Sequence, residues 1–531
     1  MFARRLGIIA LVLALEGMAV SLGIPGVPPG SSGGADWLDA LHAAQGWLFR
    51  FLIAYGSSLA ILILSRRAGS HAEPTGNSVS LPVAVPWLIA HGLLLALLVA
   101  ISLWLGVERA PTVMILSAAA RPVLALGAAL ALAAALAPAG IWRVALRDNR
   151  SFLLYAAAMA ALAVLAIDLS HVLWTPAAQV TFGLVRVLLS PLYPHLRVDP
   201  ASLSLATDRF GVIVTDYCSG LEGVGLMLVF CAGWLWCFRG EYRFPRAFLI
   251  VPIAVSVIFL LNSVRIAALL MIGDAGHPRI ASAGFHSQAG WIGFNATAFV
   301  IAMVSKRSRW LTRIDVREIE GSDENPVTPF LLPLAVLLAV GMVTRAFSSE
   351  VDLLYSFRVV AALWVLWSYR SVYRRLDWRI SARAIGMGTL VFVIWILIAR
   401  HLTTPQPMPS MLARWPAAER ASWIAARVAG AVLTAPIAEE LAYRGYLMRR
   451  LANRDFETIR FCDVRWPALA ISAVVFGMLH GNLWFPGVLA GLAYGWLAIR
   501  TGRFGEAVAA HSMTNAWLAA YVLAFDQWQL W

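Results

Sequence analysis

From Ala247 to Ile272 the chain reads AFLIVPIAVSVIFLLNSVRIAALLMI, twenty-six residues with a single charge, Arg265. A run of about 20 apolar residues is what crosses the ~30 Å hydrocarbon core of a bilayer. The segment reads as a membrane span. Similar runs lie at 6–23, 47–64, 81–106, 112–138, 151–174, 221–238 and 288–304 around it. More follow at 329–347, 352–368, 384–400, 422–448, 466–480, 484–499 and 505–526. The count is about fifteen transmembrane helices. No strand-period segment and no internal repeat interrupts them, so the expected fold class is an all-α polytopic membrane protein.

The whole composition agrees with that local reading. Of 531 residues, 60% are hydrophobic and 13% charged, against roughly 25% charged in soluble domains. No soluble globule could bury so much apolar surface, and a disordered or collagen-like chain is excluded as well. The net charge of +13 does not require nucleic acid, because cytoplasmic loops of membrane proteins collect Lys and Arg. Four cysteines without a CxxC pair argue against a disulfide framework or a zinc ribbon.

Arginines mark alternate gaps between the runs: Arg4 and Arg5, Arg66 and Arg67, Arg143 to Arg150, Arg239 to Arg246, and Lys306 to Arg313. With eight spans and a cytoplasmic N-terminus, all five clusters fall on the inner side, as the positive-inside rule requires. The first run lacks a cleavage-site pattern and reads as an uncleaved span. Residues 306–328, KRSRWLTRIDVREIEGSDENPVT, form the one long charge-dense interruption. They read as a cytoplasmic linker between a domain at 1–305 and a second at 329–531. In the latter, Arg370–Arg379, Arg449–Arg454 and Arg500–Arg503 mark inner loops, and the Pro-rich stretch 403–420 lies outside or along the interface.

Three reactive residue types stand at one expected level in the first domain. Cys218 lies in TDYCSGLEG, Arg265 in LLNSVRIAALL and His286 in AGFHSQAGW. Arg265 is about 28 Å past Arg246 at 1.5 Å per residue, near the outer face, where the spans beside Cys218 and His286 begin. A thiolate can attack a peptide carbonyl, a His can move the proton, and an Arg can steady the oxyanion or lower the thiol pKa. Each residue alone also has a structural reading: a small buried Cys, a solvated His, a snorkelling Arg. The second domain carries EELAYR at 439–444, FGMLH at 476–480 and HSMTN at 511–515. Counted from the inner ends of their helices, Glu439, His480 and His511 stand about 15, 21 and 12 Å deep. Two adjacent carboxylates in lipid need a partner, which Arg444 offers to Glu440. A Glu beside a His suits a general base for water, and His511 with Asn515 could donate to an oxyanion. An ion pathway, a packing network or a metal site would use the same residues, and a transporter with a Glu/His/Arg proton relay is the alternative.

The first motif set, CSGLEG, NSVRI and the His after GF, resembles the exosortases over roughly residues 1–305. That resemblance implies Cys218 as nucleophile with Arg265 and His286 as partners. The implied substrates are secreted proteins whose C-terminal tail has a short sorting motif, an apolar helix and a basic end. The second set, EExxxR, FxxxH and HxxxN, resembles the CPBP family of CAAX prenyl endopeptidases and bacteriocin-processing proteases over about 329–531. It implies that Glu439 and His480 activate water, that His511 and Asn515 form the oxyanion site, and that Glu440 and Arg444 support them. No cofactor is expected, with zinc at Glu439, His480 and His511 the lesser alternative. Together the two sets resemble exosortase E/protease fusions of the VPEID-type sorting system. They imply a multi-pass protein of the bacterial inner membrane with its cysteine site facing the periplasm, acting as both transpeptidase and intramembrane endopeptidase.

Overall fold

The computed structural model describes residues 84–104, 111–148, 150–215, 218–313, 325–453 and 455–531, together with Phe51 and Tyr55. The expected spans at 6–23 and 47–64 and the N-terminal orientation lie outside these residues, apart from Phe51 and Tyr55, whose rings stack at 6.1 Å. The described chain is helical almost throughout, and it is an all-α polytopic membrane protein. Seven of its helices are long and apolar enough to cross a membrane, and five shorter apolar helices accompany them. Many large apolar side chains, Val172, Val229 and Trp364 among them, face outward, which lipid accommodates and water would not.

The chain divides into two compact units, 1–173 and 174–531. In the first, α1 (Val85–Trp104) packs on α2 (Pro111–Leu136), and a ring nitrogen of His91 meets the Ala128 carbonyl at 2.9 Å. A short amphipathic helix, α3 (Ala139–Asp148), follows, with the Trp142 indole donating to the Ala133 carbonyl. The forty-residue α4 (Arg150–Leu189) leads into the second unit. The run expected at 151–174 forms its first part, and Val172–Leu189 beyond it is also apolar enough to cross a membrane. The helix does not stop at that run's end: it carries Pro176 inside it and runs on to Leu189.

The second unit begins with a feature the sequence reading did not expect. Residues Arg197–Asp199 (β1), Ser204–Ala206 (β2) and Gly211–Ile213 (β3) form an antiparallel sheet in the order β1-β2-β3. Leu205 sits opposite Val212. Three-residue strands are too short to display a period of two. The sheet covers one end of α6 (Ile250–Asp274): buried Leu205 and Val214 pack with Ile266, Ala267 and Leu270, and the Thr207 hydroxyl donates to Asp274 at 2.6 Å. On the same helix, Ile250, Ala254 and Ile258 pack against Met227, Cys231 and Leu235 of α5 (Leu221–Cys237). Both sets repeat every four residues, the spacing of one helix face. A π turn, Ile280–Phe285, precedes α7 (His286–Arg307), so His286 lies within a helical run rather than just before one. The basic residues after it fold back, with Arg313 N–H donating to the Glu241 carbonyl and Lys306 3.4 Å from Glu241. Most of the expected linker, 314–324, lies outside the described residues.

The remaining helices are α8 (Thr328–Ala346), α9 (Tyr355–Ser368), α10 (Ala382–Leu402), α11 (Ala417–Ala452), α12 (Trp466–Met478), α13 (Trp484–Thr501) and α14 (Phe504–Phe525). They share a core of Leu441, Met448, Leu469, Phe476, Tyr494 and Ala510 with their neighbours. One close approach is between α12 and α13. A Cβ on Gly491 would lie 3.0 Å from Ala473 Cα, and one on Gly477 would meet the backbone at Trp484 and Val488. Small residues let two backbones close to this distance.

Candidate functional site

The α11 helix is not regular. It contains π turns at Gly430–Thr434 and Leu441–Met448, with Glu439 and Glu440 in the α segment between them. Such turns disturb the ordinary ladder of backbone bonds and are frequent at functional sites. Here the Ala431 carbonyl accepts instead from Asn515 Nδ2 on α14, at 2.8 Å.

The two glutamates have different surroundings. Glu440 is fully buried; its Oε1 accepts from Arg444 Nη1 and meets His511 Nδ1, each at 3.0 Å. The second nitrogen arm of Arg444 donates to the Gly491 carbonyl at 2.8 Å. Arg444 also lies 4.6 Å above the Phe476 ring. Glu439, by contrast, lines a cavity of about 1030 Å³ together with His480, His511 and Asn515. Its Oε2 is 3.9 Å from His511 Nε2.

Hydrogen-bond partners set which nitrogen of each histidine faces the cavity. A carboxylate and a carbonyl only accept, so Nδ1 carries the proton in both rings. In His511 that proton goes to Glu440, and in His480 it goes to the Phe476 carbonyl at 3.0 Å. The helix ends at Met478, so His480 is past its last turn and satisfies one of the carbonyls a helix leaves open. The FxxxH spacing thus marks a helix end rather than a continuous helix. Tyr494 stacks on His511 at 4.9 Å, Phe476 meets it edge-on, and Trp395 meets His480 at 5.5 Å. The sequence reading did not single out Tyr494, Trp395 or the Gly491 carbonyl. A hydroxyl inside the apolar run 484–499 was the available signal for the first.

Glu440 and Arg444 are the structural element of the centre, and this gives a stability prediction. Arg444→Ala strands a carboxylate that is wholly buried, a change that costs about 3–5 kcal/mol when a buried pair is broken. A large fall in thermal midpoint of the purified chain is expected. The double change Glu440→Gln with Arg444→Met should recover most of it, since no lone charge is left. An unchanged midpoint in Arg444→Ala would remove the pair from this role.

Cys218 and His286 each lie within electrostatic reach of Arg265. Cys218 lies in a turn fixed by three bonds. Its N–H donates to the Thr215 carbonyl at 2.8 Å, and its carbonyl accepts from Asn262 Nδ2 at 2.9 Å. The neighbouring Ser219 carbonyl accepts from Thr181 at 3.0 Å. Gly220, at φ 87°, makes the left-handed turn into α5, and a Cβ there would press on Asn262. Arg265 follows Asn262 by one turn. Its guanidinium lies over Gly290 on α7, one turn beyond His286, and it is within electrostatic reach of Cys218, Glu222 and His286. Arg265 Nε is buried and meets no acceptor among the described residues. Glu222, also within CSGLEG, was not named from sequence as a member of this group.

Among the described residues no three His, Cys, Asp or Glu side chains gather as a metal-ligand set.

Fold and centre together define a polytopic membrane protein with a Glu/His centre enclosed among its helices. Residues 421–517, from α11 into α14, match the family model of the type II CAAX prenyl endopeptidase Rce1-like proteins, a family of intramembrane endopeptidases. No curated protein and no solved structure matches the chain significantly.

Proposed function

We propose that residues 329–531 form an intramembrane endopeptidase of the glutamate type. The observation that carries this reading is the convergence of Glu439, His480, His511 and Asn515 on one cavity, within the stretch similar to Rce1-like endopeptidases. Glu439 takes a proton from a water held against His480 Nε2, and the water oxygen attacks the scissile carbonyl. His511 and the second N–H of Asn515 form the oxyanion site. Collapse expels the amine, which regains a proton from Glu439. The carboxylate activates the water in this reading without metal. The same likeness favours a peptidase over a transporter with a buried proton relay.

A second activity is proposed for Cys218, on the strength of its grouping with Arg265 and His286. The thiolate attacks a peptide carbonyl, Arg265 holds the oxyanion, and His286 hands a proton to the leaving amine. A thioester results, which water or an acceptor amine resolves. The substrates are secreted proteins carrying a C-terminal sorting tail of the VPEID type, and the protein works in a bacterial inner membrane as a joint exosortase and protease. The test is in cells: a tagged sorting-tail substrate, followed with single-site variants in each centre, should report two separable cleavages.

This reading places Cys218 at the periplasmic face. A reporter fused near Asp323 should therefore behave as cytoplasmic and one near Ser204 as periplasmic. The opposite pattern would put the thiol on the wrong side for secreted substrates.

A further inference from the structure

The cavity around Glu439 continues past it to a second charged group, Arg345, Arg358 and Arg427 with Asp352. Arg358 is fully engaged: it pairs with Asp352 and donates to the Gly341 carbonyl and the Thr344 hydroxyl. Glu350, on the same lining, is held by Arg279 at 3.7 Å and by the Ser410 hydroxyl at 3.2 Å. Arg345 and Arg427 remain. Neither forms an ion pair with a described residue, and both are within electrostatic reach of Arg358. Arg427 is nevertheless held still. Its Nη1 donates to the Tyr355 hydroxyl at 3.0 Å, and its guanidinium lies over Tyr355 and Trp531 at 4.8 and 5.4 Å.

Topology does not account for these cations. Arg345 stands in the last turn of α8 and Arg427 in the half of α11 away from Arg449 and Arg450, where a loop bias toward basic residues would not put them. A cavity lined by two guanidinium groups without an ion-pair partner among the described residues, one of them held in place and the other exposed, suits an anion. Arg427 precedes Glu439 by twelve residues on α11, about 18 Å at the α-helical rise and slightly less through the π turn. An extended peptide covers that in about five residues at ~3.3 Å each. The lining also offers Ser349, Thr404 and Gln406, groups able to hydrogen-bond a peptide backbone.

We propose that Arg427 and Arg345 form a carboxylate-binding subsite for the peptide substrate, about five residues from the scissile bond. This rests on the reading of Glu439 as a peptidase base. The carboxylate is that of the chain terminus or of an Asp or Glu side chain. Its attraction to the guanidinium pair selects acidic peptides and sets their register against Glu439.

Binding can be read without cleavage, using the full chain carrying Glu439→Gln in nanodiscs. The probes are a labelled decapeptide of Ala, Leu and Gly with a free C-terminus, its C-terminal amide, and that amide with one Glu five residues from the end. One carboxylate-bearing peptide should bind at least about tenfold tighter than the neutral amide, as expected of a charge-assisted contact. Arg427→Gln and Arg345→Gln together should abolish the difference, and Arg427→Lys, which keeps the charge, should retain part of it. The free-acid and Glu probes tell the two carboxylate sources apart. Equal binding of all three probes overturns the proposal, as does a difference that survives the double Gln change. So does an effect of the arginines seen only as a preference for phosphatidylglycerol over phosphatidylcholine discs, which would assign them to a lipid headgroup. If the acid preference is found but the wild-type chain cuts none of these or longer peptides, the peptidase reading falls and the subsite stands. Glu439-dependent cleavage without acid preference gives the reverse.

Discussion

Glu439→Gln is expected to reduce peptide cleavage in the second centre by at least about 10²-fold, the lower end for loss of a general base. The substitution keeps the volume and a hydrogen-bonding head in the cavity and removes only basicity. Glu439 is the carboxylate that can be lost without structural penalty, because it faces the cavity and forms no short ion pair, while Glu440 is tied to Arg444 and His511. Glu440→Gln should therefore lower the thermal midpoint as well as the rate, whereas Glu439→Gln should lower the rate alone. The measurement is turnover of a membrane-embedded reporter peptide alongside thermal unfolding of the same preparation. Chelators should leave the wild-type rate unchanged. A rate lost on chelation and restored by zinc would move water activation from the carboxylate to a metal while keeping the site, and full activity in Glu439→Gln would end the glutamate reading.

The sequence made some of this visible for a simple reason. In lipid, backbone groups must be satisfied within helices, so spans appear as long apolar runs, and any charge inside one stands out. Glu440, Arg444, His511 and Arg265 were conspicuous on that ground. What stayed hidden depends on groups every residue has. The Phe476 carbonyl that orients His480, the Gly491 carbonyl that receives Arg444 and the Ala431 carbonyl that holds Asn515 have no side-chain signature. The π turns in α11 were equally silent, and so was the sheet at 197–213, whose strands are too short to alternate. Arg345 and Arg427 belong to no motif, and only the third dimension shows the two of them in the lining of one cavity.

Cys218→Ala is expected to abolish sorting-tail cleavage while leaving insertion and the Glu439-dependent activity intact. The thiol is the attacking atom in that reaction, so no residual path remains. Replacing Cys231, Cys237 or Cys462 should leave cleavage near wild type. Cys231 is packed in the α5–α6 core, and only Cys218 among the described cysteines is linked electrostatically to Arg265, which in turn reaches His286. A thiol reagent confined to the outer face should mimic the substitution in a chain lacking Cys237 and Cys462, which are exposed.

The two centres are chemically separate but share a wall. His286 is within reach of Arg265, while its neighbours Ala283, Gly284, Ser287 and Gln288 belong to the lining of the Glu439 cavity. Gly284 lies directly against the carbonyls of Arg345 and Ser348, with no room for a Cβ. Gly284→Leu should therefore displace the helix and reduce both activities at once, whereas Cys218→Ala and Glu439→Gln should each silence one. Cleavage of both reporters is the readout, with thermal unfolding to exclude general collapse. Full sorting-tail cleavage in Gly284→Leu would show that the wall does not position His286. Wild-type cleavage in Cys218→Ala would end the cysteine assignment outright, and loss of both activities in Glu439→Gln would place the second centre upstream of the first.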